Sequence, residues 1–239
     1  MAFMEFAGCA LTAYSPALAL FILTVSHDPV RIIIMVTSAF FWLVALVVSS
    51  LFWNFITFGH LMPLCVLFSV AIQEVFRYCF YKLMRKTEEG LRSLRVPNTN
   101  TDMLKNRHLV PYVAGLGYGA MSGVFSLFNI LAALSGPATV GFPDPVTGAS
   151  PSPYYAFFTA VFTMLFTMLH TVWSVVFFDA ADEARWLRMA WVVCSHAVVS
   201  CLTLLHVQGL YAVSFPLTVL VLAISSYMAY RSVTTGPTN

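Results

Sequence analysis

The chain has 239 residues, of which 59% are apolar and 9% charged, where a soluble domain carries about 25% charged residues. Its mean hydropathy of +0.83 and its 21 Phe, 10 Tyr and 5 Trp exceed what one core hides from water, which excludes an ordinary soluble globule and makes the bilayer the solvent. A net charge of +2 supplies no broad basic face for a phosphate backbone, so nucleic acid is a poor candidate partner.

A spanning helix needs about 20 apolar residues, and the ionisable residues divide the chain into charge-free stretches of that length or twice it. Residues 6 to 27, 109 to 143 and 145 to 178 each hold one span. Residues 32 to 73 break at Gly59, His60 and Pro63, and residues 189 to 230 break near His206, Gln208 and Gly209, so each folds back as two helices. The prediction is an all-α membrane protein, a single seven-helix domain over 1–239, with helices near 3–25, 32–56, 62–82, 110–134, 154–178, 187–206 and 211–230. Continuous rather than alternating hydrophobicity argues against strands, because backbone groups in lipid must be satisfied within the segment.

Basic residues set the orientation, since Lys and Arg concentrate on the cytoplasmic side. Arg31 falls in the first loop. Lys82, Arg85, Lys86, Arg92, Arg95, Lys105 and Arg107 fall in or beside the third, Arg185 and Arg188 at the fifth, and Arg231 in the tail. The alternate loops have none, which predicts a lumenal or extracellular N-terminus, a cytoplasmic loop at 83–109, a lumenal loop at 135–153 and a cytoplasmic C-terminus. The first helix is expected to be retained, because no Lys or Arg precedes it and Glu5 stands where a signal peptide is positive. Cys9, Cys65, Cys79, Cys194 and Cys201 all lie in expected spans without metal or redox spacing and read as small apolar packers.

Function must therefore reside in the spans, where polar side chains are costly. At 1.5 Å rise per residue, Glu74 lies about 12 Å from Lys82, His170 about 13 Å from Asp179 and His196 about 12 Å from Arg188. These depths allow one shared polar layer. Glu74 and Arg77 are three apart, close enough to neutralise each other, and His170 and His196 are placed either to meet across the fifth and sixth helices or to face a partner helix. Two readings follow. One is a buried metal or proton-handling centre built from both imidazoles, Glu74 and Asp179 as a second carboxylate. The preferred one is that these groups fasten helices by hydrogen bonds worth about 0.6 to 2 kcal/mol each.

Gly115, Gly119 and Gly123 recur every four residues on the fourth helix. Their shared face leaves a groove for close helix approach, bordered by Ser122 and Ser126, and the contacting helix is either in this chain or in a partner. Asp28, Asp102, Asp144, Asp179 and Asp182 fall in loops or at helix ends, so the chain lacks the paired mid-depth aspartates of an intramembrane aspartyl protease. An intramembrane metal-dependent hydrolase and a small-molecule transporter or receptor remain as alternatives, although no internal repeat of the transporter kind is visible.

Multiple colinear blocks bring a family into view: Phe6-Ala7-Gly8-Cys9, Asp28-Pro29-Val30-Arg31, Gln73-Glu74-Val75-Phe76-Arg77-Tyr78, the Gly115/Gly119/Gly123 helix running into Ser122-Gly123-Val124-Phe125-Ser126, Leu169-His170-Thr171, Val176-Phe177-Phe178-Asp179 and Ser195-His196. Over about residues 3 to 200 the chain resembles the anterior-pharynx-defective family. The resemblance implies a seven-helix, non-catalytic subunit of gamma-secretase, without a cofactor or metal of its own, in a complex whose catalytic aspartates presenilin supplies. It further implies pairing first with nicastrin, then with presenilin and the presenilin enhancer, and substrates such as Notch and amyloid precursor protein stubs. A multi-pass protein of endoplasmic reticulum, Golgi, plasma and endosomal membranes is implied as well. By the same resemblance, Gly115, Gly119 and Gly123 serve helix packing and assembly; Ser122, which borders that face, joins them on the reading of the residues alone. His170 and His196 match its paired intramembrane histidines and serve association with presenilin and activity, while Glu74 and Arg77, read from the residues themselves, are a structural pair in the same assembly layer.

Overall fold

The structure, a computed structural model, describes residues 2–55, 62–94, 106–135, 154–206 and 208–235. Seven α-helices follow one another: α1 (Ala2–Leu20), α2 (Pro29–Phe55), α3 (Met62–Leu94), α4 (Leu109–Ser135), α5 (Tyr155–Asp182), α6 (Trp186–Leu202) and α7 (Tyr211–Thr235). All seven belong to segments long and apolar enough to cross a membrane, and there is no strand among the described residues. The chain is thus a multi-pass membrane protein.

Local chemistry explains where the helices stop. Pro29 opens α2, where its missing N–H is no loss, and the Asp28 carboxylate accepts the Val30 N–H at 2.9 Å while pairing with Arg31 at 3.3 Å. α1 ends in a π-helical turn over Phe21–Val25, and the Arg31 Nη1 donates to the Thr24 carbonyl at 2.6 Å. α6 tightens into a 3-10 turn over Thr203–His206. The reversal into α7 then uses Gly209 at φ 72°, a conformation that glycine adopts without a Cβ penalty. The α5–α6 turn places Ala184 at φ 53°, and Arg185 N–H closes it on the Ala180 carbonyl at 2.8 Å.

α5 is the central helix. It packs on α4, α7, α1 and α6, while α4 also packs on α2 and α3 packs on α2 and α6. The core consequently centres on α5 residues such as Leu169, Trp173, Val176 and Phe178, with Leu116 of α4 and Val192 and Val199 of α6. Many large apolar side chains of α1, α2 and α7 face outward, as lipid contact requires.

Three boundaries differ from the sequence expectation. α3 does not end at Lys82 but runs to Leu94. α5 extends past the expected 178 to Asp182, so Asp179 and Asp182 sit in its last turns, at the helix end. α7 includes Arg231. The turn at Gly59 and His60, the rest of the expected loop at 95–105 and the expected loop at 136–153 lie outside the described residues. Of the cysteines, Cys9 and Cys65 are buried, whereas Cys79 and Cys194 face outward and do not pack inside the chain.

Candidate functional site: a charged network between three helices

The three-helix polar layer that the depth count allows is present. Glu74 and Arg77 project from α3 toward α5 and α6, and both are buried with His170 and His196. The Arg77 Nε lies 3.1 Å from Glu74 Oε2. Glu74 Oε1 in turn receives His196 Nδ1 at 2.6 Å. Arg77 continues toward α5, where Nη2 meets His170 Nδ1 at 3.0 Å and Nη1 donates to Ser174 Oγ at 2.7 Å. A guanidinium only donates, so the His170 Nδ1 is an acceptor and its ring is the neutral tautomer protonated at Nε2.

Aromatic rings wall the network off. The guanidinium carbon of Arg77 sits 4.8 Å from the centroid of the Tyr118 ring, a cation over a π face in a dry site. The Tyr118 hydroxyl reaches back to the Gln73 carbonyl at 2.6 Å, and Trp42 on α2 donates to the Gln73 side chain at 3.2 Å. The two imidazoles meet edge to face with centroids 4.9 Å apart. Phe166 covers His170 at 4.8 Å, and Trp173 covers His196 at 4.9 Å.

Asp179 does not join this layer. It lies nine residues past His170 on α5, about 13 Å along the axis, and pairs with Arg188 at 3.2 Å and Arg107 at 3.5 Å. Arg188 also donates to Ser232 on α7 at 3.1 Å. Among the described residues, no group of three or more His, Cys, Asp and Glu is placed to hold a metal ion. Nδ1 of each imidazole faces Arg77 or Glu74, and the cation at the centre of the layer is the guanidinium.

The glycine face of α4 packs against α5 of this same chain. A Cβ built on Gly115 meets Thr171 Cα at 2.7 Å and the His170 carbonyl at 2.8 Å; on Gly119 it meets the Thr167 carbonyl at 2.7 Å; on Gly123 it meets only side-chain atoms, at 3.0 and 3.2 Å. Ser122 is buried and lines a cavity of about 310 Å³ with Ser126, Thr163, Phe166 and His206. Hydroxyls stitch the contact, with Thr167 donating to the Gly119 carbonyl at 3.2 Å and Ser126 and Thr163 bonded at 3.0 Å. The opposite face of α4 has its own requirement, which the every-fourth pattern does not reveal. A Cβ on Gly117 collides with the Met35 carbonyl and the Ser38 hydroxyl of α2.

Sequence reasoning thus places Glu74, Arg77, His170 and His196 together and leaves out Ser174 and Tyr118. Ser174 had a signal, because it is one turn after His170 and shares its face; Tyr118 had none short of the packing of α4.

The family described as "Aph-1 protein" matches residues 4–236. The chain is 39% identical over 231 residues to the gamma-secretase subunit Aph-1 of Drosophila melanogaster, covering 97% of this chain and 93% of that one. It is 40% identical over 238 residues to the gamma-secretase subunit Aph-1b of Danio rerio, with 94% and 87% covered. It is 36% identical over 235 residues to the gamma-secretase subunit APH-1B of Homo sapiens, again with 94% and 87% covered.

Proposed function

Because the chain belongs to the Aph-1 family, we propose that it is a non-catalytic scaffold subunit of a gamma-secretase complex, stabilising presenilin, nicastrin and the presenilin enhancer for cleavage of single-span proteins such as Notch and the amyloid precursor protein. Residence in endoplasmic reticulum, Golgi, plasma and endosomal membranes, with the basic loops in the cytoplasm, belongs to the same proposal.

One observation supports the non-catalytic part most. The charged intramembrane groups engage each other and their neighbours: Glu74 pairs with Arg77 and His196, and Arg77 with His170 and Ser174. Such a network fixes the register of α3, α5 and α6, which apolar packing in lipid leaves loose, and presents no free carboxylate pair to a peptide bond. Gly115, Gly119 and Gly123, with Ser122, do the same for α4 on α5. The mechanism is assembly, in that a seven-helix body of fixed shape offers its outer faces to partner helices.

The test is a mild-detergent pull-down of tagged protein with mass spectrometry of partners and a metal assay on the same sample. Presenilin, nicastrin and the presenilin enhancer are expected in stoichiometric amounts. A lone chain that cleaves a single-span peptide and holds stoichiometric zinc would overturn the scaffold reading.

A further inference from the structure

A second polar feature sits at the basic end of α3, separate from the helix-fastening network. A groove of about 550 Å³ opens there between α3 and the end of α5, lined by Tyr81, Lys82, Arg85, Lys86, Glu89 and Asp182. Its inner wall is internally satisfied. Arg85 grips Asp182 through Nε at 2.9 Å and Nη2 at 2.6 Å, takes Glu88 through Nη1 at 2.7 Å, and leaves Asp182 to accept the Tyr81 hydroxyl at 2.9 Å.

The outer wall differs. Lys82 and Lys86 stand one turn apart and exposed, and among the described residues neither ammonium is engaged by a carboxylate. The Lys82 Nζ rests 5.4 Å from the Tyr78 ring centroid and 5.7 Å from that of Tyr81. Aromatic faces hold a cation in place without neutralising it. Glu89, also exposed, adds one acceptor at the rim.

Position and composition together define the ligand. The groove begins where the apolar stretch of α3 ends, directly below outward-facing Val75 and Tyr78, so a headgroup seated in it leaves its acyl chains along the helix. Two unneutralised lysines at a lipid boundary attract phosphate. A carboxylate beside them repels a bare anion but accepts hydrogen bonds from hydroxyl groups. A phosphorylated polyol satisfies both demands. We propose that this groove binds the headgroup of a phosphoinositide lipid, with Lys82 and Lys86 on its phosphate and Glu89 on ring hydroxyls.

The full chain in phosphatidylcholine nanodiscs doped with phosphatidylinositol 4-phosphate tests this by native mass spectrometry and thermal unfolding. Bound phosphoinositide and a raised unfolding midpoint are expected. Lys86→Gln, at an exposed and unpaired position, is expected to weaken binding about fivefold, and Lys82→Gln with Lys86→Gln about tenfold or more. Arg185→Gln, outside the groove and paired with Glu183, is expected to leave binding unchanged. Equal binding by the lysine variants overturns the proposal, as does equal binding of phosphatidylserine at matched charge, which would mean attraction to negative charge alone. Competition by soluble inositol 1,4-bisphosphate at the same concentration as the lipid overturns the lipid assignment.

Discussion

Arg77 and His170 meet across the α3–α5 interface, Nη2 to Nδ1 at 3.0 Å, and this one contact fixes both the charge state of the imidazole and the direction of the guanidinium. With its Nε on Glu74 and its Nη1 on Ser174, Arg77 is the hub through which α3 holds α5, and Glu74 extends the hold to His196 on α6. A charge this deep is tolerated in lipid because Glu74 pairs with it and Ser174 and His170 accept from it.

Removing the hub exposes what it balances. Arg77→Met leaves Glu74 ionised and buried without its counter-charge, for which a loss of about 3 to 5 kcal/mol is expected. Adding Glu74→Gln removes the orphaned charge while keeping an acceptor for His196, so the double variant is expected to be more stable than Arg77→Met alone. Detergent unfolding titrations of the two single variants and the double measure this, and strict additivity would show that the pair is not coupled.

His170→Ala strips one acceptor from Arg77 and opens a void beside Phe166 and Tyr118. A loss of about 1 to 3 kcal/mol is expected, together with reduced recovery of the complex and unchanged bound metal. Stoichiometric zinc that disappears with His170 would instead make the layer a metal centre.

The glycine stripe predicts a graded series. Ala at Gly115 or Gly119 brings its Cβ against α5 backbone at 2.7 Å, where nothing yields cheaply, so overpacking of about 1 to 3 kcal/mol is expected. Ala at Gly123 meets only Thr167 Oγ1 and Thr163 Cγ2, and the helix propensity gain of about 1 kcal/mol offsets that contact. Gly119→Leu is expected to abolish recovery of the complex while the chain still inserts. Normal recovery of that variant in the pull-down, with an unchanged unfolding midpoint, would remove the stripe from the argument.

Much of this is legible in the sequence. Five uncharged stretches, two of them of double length, define seven helices, and counting rise from the basic end brings Glu74, His170 and His196 to one depth. The end of α3 was not legible, because Lys82, Arg85 and Lys86 mark where the membrane stops rather than where the helix does. Good helix formers and the Arg85–Glu88 pair at 2.7 Å carry it on to Leu94. Gly117 was hidden for a related reason. It sits two residues from Gly115 and Gly119, hence nearly opposite them, and its need arises from α2 rather than from any repeat along α4. Asp179 shares a helix with His170, but only the placement of Arg107 and Arg188 reveals that it serves the basic end.

Backbone strain at the α5–α6 turn gives another test. Ala184 holds φ at 53°, a left-handed conformation that costs an L-residue about 1 kcal/mol and glycine nothing. Ala184→Gly is therefore expected to stabilise the protein by about 0.5 to 1 kcal/mol, read as a later midpoint in the same titration. A loss of stability would mean that the Cβ contributes packing that outweighs the strain.

His108, just before α4 and outside the spans, supplies a pH dependence. Burial first, then Arg107 and Arg85, hold its pKa below the ordinary histidine value against the opposing pull of Asp179 and Asp182. The unfolded chain consequently binds the proton more readily than the folded one, so stability rises with pH across this range. The contribution is fully present above the unfolded value of about 6.5 and is lost as pH falls below it toward the folded value. Wild-type protein is expected to lose stability as pH falls from about 6.5 to 5.5, and His108→Gln, which has nothing to protonate there, is expected to lose less. Equal losses in both proteins, measured as unfolding midpoints at each pH, would assign the acid sensitivity to another group.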